Sequence, residues 1–209
     1  MRAELSIKRH HHKVVGIDLA GSPKRNTGIC TLKNDNLTFC TIVHTDQEII
    51  HYVEKEKPTL IAIDAPLNLP PGRKSMEDKN GEHFRPCDRK LLRRGIRFFP
   101  ITLGPMRLLT GRGIRLKRVL TRRGYPVIEV YPGAAQDIWH TGRKQDGLLK
   151  LCKGLQKLGV KGLNRKMSGD ELDAVTAALV GQLFLRGKAE VLGNFKRGAI
   201  VIPYTKEMA

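Results

Sequence analysis

Acidic residues are scarce here beside basic ones: 20 Asp and Glu stand against 38 Lys and Arg, a formal net charge of +18. Aromatic residues make up 5% of the chain, with a single Trp. There are four cysteines, at positions 30, 40, 87 and 152, and none forms a CxxC pair. That spacing argues against a zinc ribbon or a thioredoxin-type site, and so few cysteines in 209 residues argue against a disulfide framework. Four reduced thiols, mostly buried, are expected. No apolar run approaches the roughly 18 residues of a membrane span. The opening MRAELSIKRHHHK lacks the apolar stretch of a secretory leader. No internal repeat or low-complexity linker divides the chain. The expectation is one cytoplasmic domain over residues 1–209 with no membrane partner. Residues 1–12, ending in His10, His11 and His12, read as a basic arm.

Hydrophobic residues are 40% of the chain, enough for a real core. The positive charge is concentrated: residues 85–123 hold 13 Lys or Arg and one acid, Asp88, so +12 of the total lies within 39 residues. Such a field favours polyanions, nucleic acid first. Residues 65–123 are therefore read as a basic insert within the domain.

Apolar runs and turn signals give the elements. VVGIDL (14–19) reads as a strand. The segments 27–32 and 37–43 flank Asn34-Asp35-Asn36, which tolerate a left-handed turn, and read as a hairpin. Thr45 and Glu48 form a capping box for a helix to about Lys55. LIAI (60–63) and VIEV (127–130) are buried-type strands, and AIVI (199–202) is a late one. Helices are predicted over 86–94, 110–123, 148–158 and, most strongly, 169–185. Gly124 ends the second of these. An antiparallel start feeding parallel strands through helices is an α/β plan with a mixed central sheet flanked by helices. It is the order of an RNase H-like fold.

The few acids lie at informative places. Asp18 is near the end of one strand, Asp64 directly follows another, and Glu129 lies inside a third. Asp170 and Asp173 open the strongest helix, three apart and so on one face. An acid embedded in an apolar strand is costly to desolvate unless paired or bound to metal. In parallel α/β sheets, sites gather outside the carboxyl ends of the strands. Clustered carboxylates raise one another's pKa, and Mg²⁺ or Mn²⁺, which prefer oxygen ligands, relieve the repulsion. In two-metal sites one ion activates water and the other stabilises the leaving oxygen of a phosphodiester.

Five segments, GIDLAGSPKRNTG, IAIDAPLNLP, RPCDRKLLRRGIRFFP, TGRGIRLKRVLTRRGYPVIEVYPGAA and DELDAVTAALVG, resemble in order uncharacterised domain family 429. That family is regarded as predicted nucleases of RNase H-like fold. The resemblance spans about residues 13–203. It implies the acids that match its motifs, Asp18, Asp64, Glu129 and Asp173, as catalytic metal ligands for Mg²⁺ or Mn²⁺. Asp170 is a helper, because its spacing from Asp173 resembles the paired acids on the last helix of Holliday-junction resolvases. Arg85, Arg89, Arg93 and Arg94 on the predicted helix 86–94, with Arg112 and Arg115 on the next, are candidate holders of nucleic-acid phosphate. Cys87 reads as a packed small residue. Phe98 and Phe99 read as core packing first and as a base-stacking surface second.

The leading expectation is a metal-dependent nuclease acting on nucleic acid. A non-catalytic nucleic-acid-binding protein on the same frame is the alternative. A third reading rests on Asp18-Leu19-Ala20-Gly21-Ser22, which loosely resembles the first phosphate loop of actin-like ATPases. Those enzymes need a second homologous domain, and this chain carries no second phosphate loop.

Overall fold

The computed structural model describes residues 12–204. The basic arm, apart from His12, lies outside the described residues. Seven strands form one mixed sheet in the order β3-β2-β1-β4-β5-β7-β6. The strands are β1 (Lys13–Asp18), β2 (Thr27–Lys33), β3 (Asn36–Val43), β4 (Leu60–Asp64), β5 (Val127–Val130), β6 (Ala189–Asn194) and β7 (Gly198–Pro203). β1, β2 and β3 run antiparallel; β1, β4, β5 and β7 run parallel; β6 closes the far edge antiparallel to β7. The order and directions are those of the RNase H-like fold.

Local chemistry makes these elements where the sequence expects them. Asn34 and Asp35 take positive φ at the β2–β3 turn, as short polar side chains allow. Helix α1 (Asp46–Glu56) starts at Thr45, whose hydroxyl accepts from the Glu48 N–H while the Glu48 carboxylate accepts from the Thr45 N–H. Helices α2 (Pro86–Arg93) and α3 (Gly104–Arg122) lie between β4 and β5, with no helix or strand from Ala65 to Arg85. α3 begins six residues before the predicted start. Pro105 belongs to its first turn, where a missing N–H loses nothing. α3 is also the crossover that joins two parallel strands.

Helix α4 (Pro132–Trp139) was not expected. Tyr131-Pro132 reads as a strand stop, but Pro132 is the first residue of a helix. A single 3₁₀ turn (Lys144–Asp146) precedes α5 (Leu148–Lys157), and α6 (Gly169–Leu185) matches its predicted span. β6 was also missed, being a short edge strand with Gly193 inside it.

Two apolar layers enclose the sheet. Val14, Leu60, Ala62 and Val130 face α6 with its Ala174, Ala177 and Ala178. Val15, Ile17, Ile61 and Ile63 face α1 and α3 through Ile49, Val53, Leu116 and Leu120. α6 lies almost on the backbone of the sheet. A Cβ at Gly16 would fall 2.1 Å from the Ala174 carbonyl oxygen, and one at Gly28 2.0 Å from that of Asp170. That close approach brings the first turn of α6 down to the ends of β1 and β4.

Candidate active site

Asp18 is the last residue of β1 and Asp64 the last of β4, and the two are direct partners in the parallel register. Partners across a sheet point to the same face. Both therefore share the face of Val14 and Ala62, which α6 covers. Ser168 caps α6 by accepting from the Glu171 N–H at 3.2 Å, which fixes the first turn that carries Asp170 and Asp173. A helix N-terminus favours carboxylates near it. Gln136 of α4 donates to Asp173 Oδ1 at 2.6 Å and holds that side chain from behind.

The carboxylates converge on an ammonium. Lys144 Nζ lies 2.9 Å from Asp173, 3.1 Å from Asp170 and 3.4 Å from Asp18. Asp64 lies beside this group, and its carboxylate makes no hydrogen bond or ion pair among the described residues. Burial raises Asp18 to about 7; Lys144 opposes the shift, and Asp173 and Asp170 add to it. Burial, and then the charge of Asp18, lift Asp64 well above the ordinary carboxylate range. Burial works against the charge on Lys144, but Asp18 and Asp173 hold its pKa above that of an ordinary lysine.

Glu129 is placed differently. It is the register partner of Ile63, one residue before the partner of Asp64. With a side-chain period of two, it points to the opposite face. There it is locked to Arg85, whose guanidinium donates to both Glu129 oxygens at 2.6 Å and to both Asp88 oxygens at 2.7 and 3.0 Å. The Leu67 N–H donates to Glu129 as well, at 2.8 Å. Arg85, Asp88 and Glu129 are all buried. The sequence expectation groups Glu129 with the aspartates; the structure instead gives it to an ion-pair network that ties α2 to β5.

The arginines divide in the same way. Arg85, read as a phosphate holder, is 1% exposed and engaged as above. Arg112 is 2% exposed and bonds Asp46 and the carbonyls of Ala20 and His44. Both guanidinium groups are taken up by bonds within the protein. Arg89 and Arg94 pair with Glu82 and Glu190 at the surface, and Arg93 and Arg115 are exposed. Cys87 is fully buried and its thiol is pushed up to about 12 by burial, which suits packing and not nucleophilic attack. Phe98 packs edge-on to Phe84 and Tyr131, while Phe99 is 77% exposed.

Two hollows flank the aspartates. One, of about 260 Å³, is bordered by Asp64, Arg97, Phe98, Phe99, Tyr131 and Arg143. The other, of about 640 Å³, is bordered by Asp18, Ser22, Lys24, Arg25, Lys144 and Asp170. Sequence reasoning named none of Lys24, Arg25, Arg97, Arg143 or Lys144. Nothing in the TGRKQDG segment marks Lys144; only the folded loop brings it to the acids.

The donor set is all carboxylate and suits a hard divalent cation. Its spacing is set for an ammonium, because these N···O distances exceed the 2.0–2.1 Å of Mg²⁺–oxygen bonds. Among the described residues no three acidic, His or Cys side chains already stand at metal-ligating spacing.

The frame and the acids at its strand ends define the class, an RNase H-like α/β protein. Within that class the chain belongs to the family described as "Protein of unknown function (DUF429)", matched over residues 16–196. Two solved structures of RuvC from Thermus thermophilus are similar in fold. One, in complex with Holliday junction substrate, has 15% identity and a TM-score of 0.51, covering 84% of this chain and 96% of that one. The other has 13% identity and a TM-score of 0.51, covering 90% and 98%. No curated protein matches the chain.

Proposed function

We propose that this chain is a divalent-metal-dependent nuclease that hydrolyses phosphodiester bonds of nucleic acid. The observation that carries the reading is the pairing of Asp18 with Asp64 at the carboxyl ends of adjacent parallel strands, with Asp170 and Asp173 of α6 beside Asp18 around one cationic centre. Asp18, Asp64, Asp170 and Asp173 would hold Mg²⁺ or Mn²⁺, and Glu129 stands outside that set. When bound, such an ion supplies Lewis-acid activation of water and of the phosphate. The chain's own residues do the rest. Gln136 fixes the orientation of Asp173. Lys24 and Arg25 on one side and Arg97 and Arg143 on the other border hollows that adjoin the aspartates. Cations so placed suit phosphates on either side of a scissile bond. Nucleic acid as partner is supported by the net charge of +18 and by the likeness to a junction-bound RuvC.

The test is a panel of single- and double-stranded DNA and RNA incubated with Mg²⁺ or Mn²⁺. Wild type is expected to cut at least one member. Asp18→Asn and Asp64→Asn are expected to abolish cutting while still binding it. Undiminished cleavage by both variants overturns the mechanism. The second reading, a binding protein without turnover, is favoured by the Lys144 ammonium that already stands among three of the acids. It predicts salt-sensitive binding with no metal-dependent product.

A further inference from the structure

Lys144 is a built-in group rather than a passing surface lysine. Its backbone is pinned on both sides. The Asp146 N–H donates to the Arg143 carbonyl at 2.9 Å and closes the 3₁₀ turn, and the Arg143 N–H donates to the Asp146 carboxylate at 2.8 Å. The Arg143 guanidinium grips Asp137 of α4 through bonds of 2.6 and 2.9 Å. The stem of Lys144 then lies on Gly169, the first residue of α6. A Cβ at that position would fall 2.8 Å from Lys144 Cδ and 3.3 Å from its Cβ. The bare backbone of α6 therefore makes room for this side chain on its way to the acids.

The three oxygens it meets, on Asp18, Asp170 and Asp173, belong to the same side chains that would hold a divalent ion. An ammonium about 3 Å from these oxygens and a dication about 2 Å from them would be neighbours of like charge in a partly buried place, a strongly repulsive arrangement. Lys144 is 42% exposed, so a way out is open to it.

We propose that Lys144 is the resident cation of the aspartate cluster and exchanges with the divalent metal. With no metal present it holds Asp18, Asp170 and Asp173 together against their mutual repulsion. When a divalent ion takes those oxygens, the ammonium leaves. Lys144 is thus a positioning residue that sets the metal concentration at which the site loads. The inference rests on reading these aspartates as a cation site.

The experiment is calorimetric titration of the full chain with Mn²⁺ alone, in wild type, Lys144→Gln and Gly169→Ala. Removing the competing charge is expected to tighten Mn²⁺ binding at least about tenfold in Lys144→Gln. Gly169→Ala, which crowds the stem, is expected to tighten it less. Thermal melts supply a readout that does not depend on activity. In chelator Lys144→Gln is expected to melt below wild type, and at saturating Mn²⁺ the gap is expected to close or reverse, since the tighter binder gains more from its ligand. Equal or weaker Mn²⁺ binding by Lys144→Gln, with wild type still binding, overturns the exchange and leaves the aspartate site standing. Absence of binding in wild type and variants alike overturns both. Should Lys144→Gln fail to fold, Gly169→Ala carries the test: tighter binding supports the exchange and unchanged binding overturns it.

Discussion

Two acids of the site are held in a state that water would not allow them, and this has a consequence for stability. An aspartate in the unfolded chain releases its proton near 3.8, whereas folded Asp18 keeps it to about 7. Across that window the folded protein binds more protons than the unfolded chain, so stability falls as pH rises through it. Asp64 shifts in the same direction, because burial and the charges of Asp18 and Asp173 outweigh the opposing charge of Lys144. Asn mimics the protonated side chain in shape and hydrogen bonding. Asp64→Asn is therefore expected to stabilise the metal-free protein by about 0.5–2 kcal/mol at pH 7.5, as relief of strained functional sites commonly does. The gain should shrink toward pH 4. Melts in chelator at both pH values check this, and a destabilised variant at pH 7.5 would contradict it.

Arg85 makes the opposite case. Its removal leaves Asp88 and Glu129 buried and uncompensated, so Arg85→Ala is expected to cost about 3–5 kcal/mol of folding free energy. Arg89→Ala, which breaks an exposed pair with Glu82, should stay within about 0.5 kcal/mol. Urea unfolding separates the two. These residues read alike in the sequence. They share a short basic segment, and only burial distinguishes a structural arginine from a surface one.

Elements were more legible than their contents. The strands β1, β4 and β5 and the helix α6 follow from short β-branched runs and from a long apolar segment with small residues. Their order implies the sheet. The aspartates could be placed at strand ends from that alone. Glu129 could not, because its facing depends on register: VIEV pairs with LIAID so that Ile63, and not Asp64, is its partner. A one-residue offset in register exchanges the two faces of a strand. Helix α4 and strand β6 escaped for local reasons, a proline that starts a helix and a glycine in an edge strand. The approach of α6 to the sheet, which positions Asp170 and Asp173, depends on Gly16 and Gly28. Gly16→Ala is expected to destabilise by at least about 1–3 kcal/mol, since the added methyl meets a helix carbonyl rather than a movable side chain. It should also weaken metal binding by lifting α6. A variant as stable as wild type would show that the helix does not need that contact.

At the scale of the whole molecule, charge and fold point the same way. A basic chain carries a small acidic centre at the carboxyl ends of the central strands of an RNase H-like sheet, with Lys or Arg on both sides of it. Nucleic-acid affinity is expected to fall by roughly 0.7–0.9 log units per phosphate contact for each tenfold rise in salt. A salt-independent affinity in a filter-binding series would remove nucleic acid as the partner. The net charge was legible at once, but the particular bases beside the site were not. Lys24, Arg25, Arg97, Arg143 and Lys144 come from separate loops that the topology alone brings together.

The proposed nuclease activity stands on Asp18, Asp64, Asp170 and Asp173 acting as one cation site. The most direct test is Mn²⁺ titration by calorimetry of wild type, Asp18→Asn and Asp64→Asn at pH 8, above the value to which Asp18 is raised. Saturable binding is expected in wild type, with a loss of at least about tenfold in affinity in each variant, the scale of a missing charged ligand. Wild-type affinity retained in both variants would contradict it.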